Sequence, residues 1–425
     1  MKYAILTFGC KVNQYESSAI NSAMIAAGYE PCAENDSPDI VIVNSCTVTE
    51  NSDKKARHAI RAAKKQNPDV IAVLTGCYPQ AFPNEAKKSD ADIIAGNMNK
   101  TNIPKLITDY LKCGTACADM GLPRKYEDIP FSYAADKTRA FIKIEDGCDR
   151  FCSYCIIPYA RGRVRSRELC SIEREARSCA ENGHKEIVLV GINLTCYGTD
   201  IGLDLADAVK AAAIPDGIKR VRLSSLEPEM LDDKLTARLA ECKKLCPHFH
   251  LSLQSGCDTT LRRMNRHYDT AEYLAIIGRL RESFPDCAIT TDIMVGFAGE
   301  TDDEFAESLS FAEKAGFARI HVFTYSVRPG TASAKRSDFV PESTKAERYA
   351  KMSALAEKVH VGFLRSQVGK CTEILVQKRT SPDYAEGLTP NYAPVHAYGS
   401  NAQRHDIISV RITGARDGYC TGEEI

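Results

Sequence analysis

The chain has 425 residues, 44% hydrophobic and 26% charged, a composition that excludes an intrinsically disordered chain. No apolar run approaches the ~18 residues of a membrane-spanning helix, and the N-terminal apolar stretch is too short for a signal peptide, so we expect a cytoplasmic protein. The 55 basic and 56 acidic residues exclude a basic footprint over the whole chain. The 18 cysteines, in a reducing compartment, indicate metal or redox chemistry rather than disulfides.

Residues 1–112 alternate short apolar runs with helical stretches, which predicts an open parallel α/β sheet. The predicted strands are residues 3–7, 40–44, 70–74 and 93–95. The predicted helices are residues 16–27, 51–66 and 101–111. Residues 113–138 then lose any clear period, and we interpret them as a linker between domains.

Residues 139–365 contain a second alternation of strands and helices, which predicts a partial (β/α)6 barrel. The predicted strands are residues 141–145, 186–190, 220–224, 248–253, 288–295 and 319–325. Six such units, rather than the eight of a closed barrel, leave one side open. A helix over residues 344–363 closes this region.

Residues 366–425 have a different pattern, with short strands separated by Pro, Gly and Asn turns. The predicted strands are residues 373–377, 395–397 and 407–412. This pattern is typical of a small antiparallel β-barrel. The fold class is therefore α/β, with an additional β domain at the C-terminal end.

The clearest chemical motif is the C-x3-C-x2-C run of Cys148, Cys152 and Cys155, directly after the first strand of the central region. Three thiolates on one loop can hold three irons of a [4Fe–4S] cluster and leave the fourth open to a substrate or cofactor. The alternatives are a structural zinc site and three unrelated thiols. Zinc normally takes a fourth ligand, and none lies close in the sequence.

This triplet resembles the signature of the radical S-adenosylmethionine superfamily. The resemblance implies that S-adenosylmethionine chelates the open iron and that its reduction yields a 5′-deoxyadenosyl radical. Contacts to the cofactor are then expected after later strands, where the active sites of β/α barrels lie. The candidate cofactor-binding residues are Gly191, Asn193, Ser252 and Gly296.

Cys10, Cys46 and Cys77 each lie just after a predicted buried strand. Because the carboxyl ends of parallel strands line one crevice, we expect these three cysteines to converge. Their thiolates would make a second cluster site with one iron free. The alternative is that they are three buried cysteines acting as small hydrophobic residues.

The segments around these cysteines, and residues 155–163 after the central triplet, look like the methylthiotransferase family. The resemblance covers nearly the whole chain, including a C-terminal segment similar to the TRAM RNA-binding domain. It implies that Cys10, Cys46 and Cys77 hold an auxiliary [4Fe–4S] cluster. It also implies two uses of S-adenosylmethionine, one as methyl donor to a sulfur species and one as radical source.

Lys11-Val12-Asn13 and residues 46–49 resemble the MtaB-type branch, which acts on N6-threonylcarbamoyladenosine (t6A) at position 37 of tRNA. The expected reaction places a methylthio group on C2 of that adenine, with a low-potential electron donor such as flavodoxin or ferredoxin, and a sulfur donor. Branches acting on isopentenyladenosine in tRNA or on a ribosomal protein stay open as alternatives. A non-catalytic iron–sulfur RNA-binding or electron-carrier protein is the alternative of another class, but a carrier would use four protein ligands.

Two basic groups are candidate RNA-binding residues. Lys54, Arg57, Arg61 and Lys65 crowd one predicted helix, on which residues four apart share a face. The alternative for this group is an ordinary solvated helix face. The second group follows the central triplet and consists of Arg161, Arg163, Arg165 and Arg167. Arginine suits bidentate phosphate contacts, so we expect this second group to hold tRNA phosphates near the reactive centre. The C-terminal segment is not basic and would rely on stacking by Tyr384, Tyr392 or Tyr398.

Overall fold

The computed structural model describes residues 1–98, 100–116, 118, 120–129, 137–381 and 383–425. Within these residues, no helix is both long and apolar enough to span a membrane. Regular structure falls into three parts in chain order: a five-stranded parallel sheet, a set of joined parallel strands covered by helices, and a closed barrel. This order confirms the fold class predicted from the alternation of apolar and polar runs.

The first sheet contains five parallel strands in the order β2-β1-β3-β4-β5. The strands are β1 Lys2–Thr7, β2 Glu30–Pro31, β3 Ile40–Ser45, β4 Ile71–Gly76 and β5 Ile93–Ile94. The helices are α1 Lys11–Ala26, α2 Glu50–Gln66, α3 Cys77–Ala81, α4 Pro83–Ala86 and α5 Ile103–Cys113, the last preceded by a 3-10 turn at Lys100–Asn102. Strands β3 and β4 are buried along their whole length, as expected of apolar runs in a parallel sheet covered on both faces.

Two glycines turn the chain sharply from a strand into a helix. Gly9 (φ +103°) and Gly76 (φ +100°) adopt the left-handed conformation that side chains disfavour. A Cβ atom on Gly9 would also lie 2.9 Å from the Sγ of Cys46. As a result, Cys10 caps α1 and Cys77 is the first residue of α3. Helix α1 therefore begins at Lys11, earlier than the apolar periodicity alone predicts.

The central strands pair in parallel in two sheets, β6-β9-β10 and β11-β12-β13-β14, which the bridge between Val221 and Leu245 joins. The strands are β6 Arg139–Lys143, β7 Glu145–Asp146, β8 Arg165–Ser166, β9 Glu186–Val190, β10 Arg220–Leu223, β11 Ser225–Leu226, β12 His248–Leu251, β13 Ala288–Val295 and β14 Arg319–Thr324. Strands β7 and β8 form a separate antiparallel pair. Among the described residues no ladder joins β14 to β6, so the barrel is open on one side, as predicted.

Helices cover the outer face of these strands and enclose the largest apolar core of the protein. The helices are α6 Ile157–Arg161, α7 Leu169–Glu181, α8 Leu205–Ala213, α9 Asp233–Ala240, α10 Asp258–Arg263, α11 Thr270–Ser283, α12 Asp302–Lys314 and α13 Glu342–Gln367. Short 3-10 turns lie at Leu194–Cys196, Pro228–Met230 and Ser333–Lys335. Capping boxes fix the starts of α11 and α12, where Asp269 with Glu272 and Thr301 with Glu304 satisfy backbone N–H groups.

The C-terminal strands close into a barrel in the order β15-β16-β17-β19-β18. They are β15 Cys371–Ser381, β16 Tyr384–Leu388, β17 Pro394–Tyr398, β18 Ile407–Arg416 and β19 Tyr419–Glu424. The prediction of a wholly antiparallel barrel was wrong in one pair, because β17 and β19 run parallel. An odd number of strands cannot alternate in direction all the way round a ring, so one parallel pair is unavoidable.

The three parts are packed against one another. Val12 and Tyr15 of α1 pack on Val188 and Val190, on the inner face of β9. Of the predicted linker, residues 117, 119 and 130–136 lie outside the described part of the chain. In the described part of this linker, the Tyr126 hydroxyl donates to the backbone oxygen of Lys143 at 2.6 Å. The segment is therefore docked on the central strands.

Candidate functional site

Cys10, Cys46 and Cys77 follow β1, β3 and β4, three neighbouring strands whose carboxyl ends meet at one edge of the sheet. The three thiols lie near enough to influence one another: the charge of Cys77 raises the pKa of Cys10 and of Cys46, and that of Cys10 raises the pKa of Cys46. Cys46 and Cys77 are buried, whereas Cys10 lies at the rim. The convergence expected from the strand ends is therefore present in the fold.

Burial, with a smaller contribution from Cys77, raises the pKa of the Cys46 thiol to about 12. The backbone N–H groups of Val48 and Thr47 donate to this sulfur and oppose that rise. Burial also raises the pKa of Cys10. Such thiols lose their protons when a metal ion binds to the sulfur, because iron and zinc are bound by the thiolate form of cysteine.

Cys148, Cys152 and Cys155 lie on the loop between β7 and α6. Gly147 (φ +92°) opens this loop, and a Cβ atom there would overlap the backbone carbonyl of Arg163. Burial raises the pKa of Cys148 to about 12, and Cys152 adds to the rise. This loop therefore presents a second set of neighbouring thiols, all three of them half-buried.

Polar side chains from distant segments donate to the central thiols. Arg266 Nη1 lies 3.3 Å from the Sγ of Cys152, and Asn193 Nδ2 lies 3.8 Å from the Sγ of Cys148. Hydrogen bonds to ligand sulfurs orient the ligands and tune the potential of an iron–sulfur centre. The sequence did not single out Arg266, because it lies 114 residues beyond the cysteine that it contacts.

Neither set of thiols, as the structure describes it, is arranged as a site for a single metal ion. No group of three His, Cys, Asp or Glu side chains in the described part of the chain converges closely enough to hold one metal ion. A [4Fe–4S] cluster instead takes each thiolate on a different iron, so its ligands stand farther apart. Each set offers three thiols, and three thiolates leave one iron of such a cluster open.

A cavity of about 190 Å³ lies where the two halves of the site meet. Val48 and Thr49, from the loop after Cys46, form one wall. The central loop contributes Cys155, and the carboxyl-terminal halves of β13 and β14 contribute residues such as Met294. The cavity is thus at the end of the barrel strands where active sites of β/α barrels lie.

Of the predicted cofactor-binding residues, Asn193 and Gly191 lie beside the central loop. The Asn193 backbone N–H donates to the Oε2 of Glu145 at 2.7 Å, and a Cβ atom on Gly191 would lie 2.7 Å from the same oxygen. Burial raises the pKa of Glu145 to about 8. Its Oε1 is buried with no hydrogen-bond partner among the described atoms, a feature that the sequence did not reveal.

The other two predicted cofactor-binding residues have structural roles in the fold. The backbone oxygen of Ser252 accepts from Arg266 Nη2 at 3.0 Å and from the Tyr268 hydroxyl at 2.7 Å. Gly296 (φ +71°) donates its N–H to Glu300, and a Cβ atom there would overlap the Lys345 side chain. The missing side chain of Gly296 makes room for Lys345 of α13, and a cofactor contact by this glycine stays a prediction.

The assignment of the arginine run to tRNA was wrong for three of its four members. Arg161, Arg165 and Arg167 are 0%, 4% and 3% exposed, so a phosphate cannot reach them. The side chain of Arg163 is 75% exposed and lies 3.1 Å from Asp149. Four arginines close in sequence thus divide into three buried side chains and one surface side chain.

Arg161 connects the two sets of cysteines. Its Nη2 donates to Asn13 Oδ1 at 2.8 Å and to Glu16 Oε2 at 3.0 Å, and its Nε donates to the Sγ of Cys77 at 3.2 Å. Lys100 and Lys143 also pair with Glu16. A side chain at the end of α6, the helix that follows the central triplet, therefore contacts Cys77 at the start of α3.

Of the candidate RNA-binding residues on α2, Lys54, Arg61 and Lys65 are exposed and Arg57 is half-buried. Lys54 and Arg61 pair with Glu50 and Asp90 at 2.9 and 3.3 Å, with side chains 60% and 64% exposed. Arg57 donates to the hydroxyl of Tyr78 at 2.9 Å, and Lys65 is exposed. Lys54, Arg57 and Arg61 line a shallow groove of about 790 Å³, which is accessible to a large ligand.

A second groove, of about 610 Å³, lies where α1, β6 and the C-terminal barrel meet. Its cationic lining residues are Lys137, Arg139, Lys378, Arg379 and Arg404. No carboxylate is among the described residues that line it. The sequence did not predict this surface, because its cations come from three segments far apart along the chain. Tyr392, a predicted stacking residue, is instead packed 4.6 Å from the ring of His248.

Comparisons with known proteins agree with this arrangement. Residues 142–312 match the model of the radical SAM superfamily, and residues 2–96 match that of an uncharacterized protein family, UPF0004. The chain is similar in fold to the radical S-adenosylmethionine methyltransferase TsrM from Kitasatospora setae, with a TM-score of 0.59 and 15% identity, over 91% of this chain and 80% of that one. At this identity the likeness concerns the fold alone.

Curated relatives match at higher identity and nearly full length. The threonylcarbamoyladenosine tRNA methylthiotransferase MtaB of Thermotoga maritima is 40% identical, over 96% of this chain and 94% of that protein. The protein of the same name from Bacillus subtilis is 35% identical, over 99% and 95%. The tRNA-2-methylthio-N(6)-dimethylallyladenosine synthase of Alkaliphilus oremlandii is 34% identical, over 100% and 93%. The chain therefore belongs to the family of radical S-adenosylmethionine tRNA methylthiotransferases, which are transferases that act on tRNA through a [4Fe–4S] cluster and S-adenosylmethionine.

Proposed function

We propose that this enzyme transfers a methylthio group to C2 of t6A at position 37 of tRNA. The observation that carries the proposal is a cavity lined both by Cys155 of the central triplet and by Val48 and Thr49, which follow Cys46 of the N-terminal triplet. The reaction needs a radical source and a sulfur carrier at the same adenine. The branch is supported by two MtaB relatives at 40% and 35% identity. Action on dimethylallyladenosine is the second candidate, because a synthase of that kind is 34% identical.

In this proposal Cys148, Cys152 and Cys155 hold the cluster that binds S-adenosylmethionine, and Cys10, Cys46 and Cys77 hold an auxiliary cluster. When bound and reduced, these groups supply a 5′-deoxyadenosyl radical and a methylated sulfur. The protein's own residues position both sets of ligands around one adenine and exclude water from it, which is the main contribution that orientation makes to such a reaction. Arg161 donates to Cys77 of the N-terminal triplet, and Arg266 donates to Cys152 of the central triplet.

We further propose a division into residues 1–112, which carry the auxiliary cluster, a linker at 113–138, a radical domain at 139–365 and an RNA-binding barrel at 366–425. The reaction requires a low-potential electron donor such as flavodoxin or ferredoxin, and a sulfur donor. We place the enzyme in the cytoplasm, where its tRNA substrate is. Docking of the barrel on β6 beside the basic groove supports the use of that surface for tRNA.

Nucleoside mass spectrometry of tRNA from a deletion strain tests the substrate. We expect loss of 2-methylthio-t6A, with accumulation of t6A and unchanged 2-methylthio-isopentenyladenosine. Expression of the wild-type chain should restore the modified nucleoside, whereas a chain with all six cysteines changed to alanine should not. Loss of the isopentenyladenosine derivative instead would assign the enzyme to the second branch.

A further inference from the structure

The segment after the last barrel strand, residues 325–333, contacts the surroundings of both cysteine triplets, and we call it the bridging segment. At its end, the Ser333 backbone N–H donates to the backbone oxygen of Ser153, within the central triplet, at 2.7 Å. The Tyr325 hydroxyl donates to Ser333 Oγ at 2.7 Å, and Tyr325 itself lines the cavity of the site. One part of the bridging segment is therefore fixed to the loop of the central triplet.

Another part of the bridging segment contacts the residues that follow Cys46. Arg328 is 2% exposed, and its Nη2 donates to the Thr47 hydroxyl at 2.7 Å and to Asp53 Oδ2 at 2.5 Å. The Thr47 hydroxyl donates in turn to the Oδ1 of Asp53 at 2.9 Å. These three buried side chains therefore form a closed ring of hydrogen bonds. The ring joins the bridging segment to the loop after Cys46 and to the first turn of α2.

Two further contacts extend this junction. The guanidinium of Arg328 lies 4.8 Å from the centre of the Phe82 ring, which directly follows α3, the helix that begins at Cys77. The backbone N–H of Glu50 donates to Ser326 Oγ at 3.3 Å. Arg328 and its neighbour thus contact the segments that follow two of the three N-terminal cysteines.

The Asp53–Arg328 pair restricts geometry more than it adds stability. A buried ion pair contributes little net stability, because both charges lose their water. The planar guanidinium nevertheless holds its acceptors in fixed directions. The two residues are 275 positions apart, and parts of a chain so joined otherwise tend to move relative to each other. The pair is thus placed to hold the N-terminal cysteines in one position relative to the central loop.

We propose that Arg328 is a positioning residue, which together with Asp53 and the bridging segment fixes the separation of the two cysteine triplets. The inference rests on the proposed function, in which one triplet serves a radical source and the other a sulfur carrier at the same adenine. A misplacement of about 1 Å in such a reaction can cost about 100-fold in rate. Loss of the pair should therefore spare radical formation and impair transfer of the methylthio group.

The test uses the full-length, iron-loaded enzyme with an Asp53→Asn, Arg328→Met double variant. This variant leaves neither charge of the pair buried without its partner, and the Asn side-chain oxygen can still accept from Thr47. The control is Arg336→Met, Asp338→Asn, which removes a more exposed ion pair just beyond the bridging segment. A second variant, Arg328→Lys, keeps the charge but loses the planar fork of donors.

For the double variant we expect wild-type iron content and wild-type cleavage of S-adenosylmethionine without RNA. Methylthio transfer to an anticodon stem-loop should fall about 10- to 100-fold, so more 5′-deoxyadenosine should form for each modified nucleoside. The electron paramagnetic resonance spectrum of the fully reduced enzyme should change as well, because the magnetic interaction between two reduced clusters depends on their separation. Arg328→Lys should give intermediate values, and the control should behave as wild type.

A double variant with the wild-type ratio of 5′-deoxyadenosine to product, and the wild-type interaction between clusters, would overturn the positioning role. Parallel loss of iron, cleavage and transfer in this variant and in Arg328→Lys would overturn it too, since the pair would then only stabilise the fold. The stem-loops carry either t6A or isopentenyladenosine. Wild-type enzyme that modifies only the second would overturn the proposed substrate, and the ratio measured on that RNA would still decide the role of Arg328.

Discussion

Arg161 donates from Nε to the Sγ of Cys77 at 3.2 Å, and so links α6, the helix after the central cysteine triplet, to a cysteine of the N-terminal triplet. The two residues are 84 positions apart in the chain. Arg266 makes the equivalent contact to Cys152 at 3.3 Å. One buried guanidinium therefore donates to each set of thiols, and Arg161 also sets how the two sets lie relative to each other.

Removal of the central thiols should abolish radical formation. We expect a Cys148→Ala, Cys152→Ala, Cys155→Ala variant to bind roughly four irons instead of roughly eight, since one of two four-iron clusters is lost. S-adenosylmethionine cleavage should become undetectable. Iron analysis and measurement of 5′-deoxyadenosine check both outcomes.

A matched control for that variant changes three cysteines outside the triplets, Cys113, Cys170 and Cys371, all of which are exposed. This control should retain its iron and its cleavage activity. Full iron and full cleavage in the central triple variant would contradict the assignment of the central cluster.

Removal of the N-terminal thiols should separate two activities. In a Cys10→Ala, Cys46→Ala, Cys77→Ala variant, we expect 5′-deoxyadenosine to form at least partly, because the central loop is intact. Methylthio transfer to tRNA should be lost together with the sulfur carrier. Equal methylthiolation by this variant and the wild type would show that the three cysteines are only structural.

Loss of Arg161 should weaken both the fold and the auxiliary site. Arg161→Gln removes one partner from a buried ion-pair network, and such losses cost about 3–5 kcal/mol; we expect the lower end, because Lys100 and Lys143 still compensate Glu16. The auxiliary cluster should also shift to a lower reduction potential, since a hydrogen bond to its thiolate is lost.

Denaturant unfolding and potentiometric titration followed by electron paramagnetic resonance measure these two effects. The control is Arg163→Gln, on a side chain that is 75% exposed, which should change the unfolding free energy by less than about 0.5 kcal/mol. If Arg161→Gln matched this control in stability and potential, the link between the triplets would have no energetic role.

The basic groove beside the C-terminal barrel should contribute to tRNA affinity. Changing Lys137 and Lys378 to Gln should weaken tRNA binding and reduce its salt dependence by up to ~0.7 in logarithmic slope per lost single-strand phosphate contact. Binding measured over a range of salt concentrations, with Lys314→Gln as control, checks this. An unchanged slope would leave the exposed cations of α2 as the tRNA surface.

Acid should destabilise the contact between the central strands and the C-terminal barrel. Burial, together with the charges of Arg222, His250, Lys11 and Arg139, holds the pKa of His248 well below 6.5. The unfolded chain therefore binds a proton near pH 6.5 that the folded chain does not, so stability is present above that pH and is lost as the pH falls. Below pH 6.5, this group should lower the free energy of unfolding by up to ~1.4 kcal/mol for each unit by which the pH falls. Unfolding of His248→Gln at several pH values should show a shallower slope; an equal slope would contradict this origin.

The sequence by itself determined the class of structure and the position of the candidate site. Unbroken apolar runs such as residues 40–45 can be buried on both faces only in a covered parallel sheet. Cys10 and Cys77 follow glycines at the ends of such runs, and the carboxyl ends of neighbouring parallel strands meet at one edge. Because these are local patterns and general rules of sheet topology, a single sequence is sufficient to predict the features that follow from them.

Only the tertiary structure decided what the charged residues do. The sequence from Arg161 to Arg167 predicts a basic surface patch. In the structure, however, Arg161 is wholly buried and pairs with Glu16, which is 145 residues away. Arg266 acquires its role in the same way, from Cys152 and Glu227, which other segments bring to it. Burial and ion pairing depend on which distant residues pack against a side chain, and no local pattern of the sequence records those contacts.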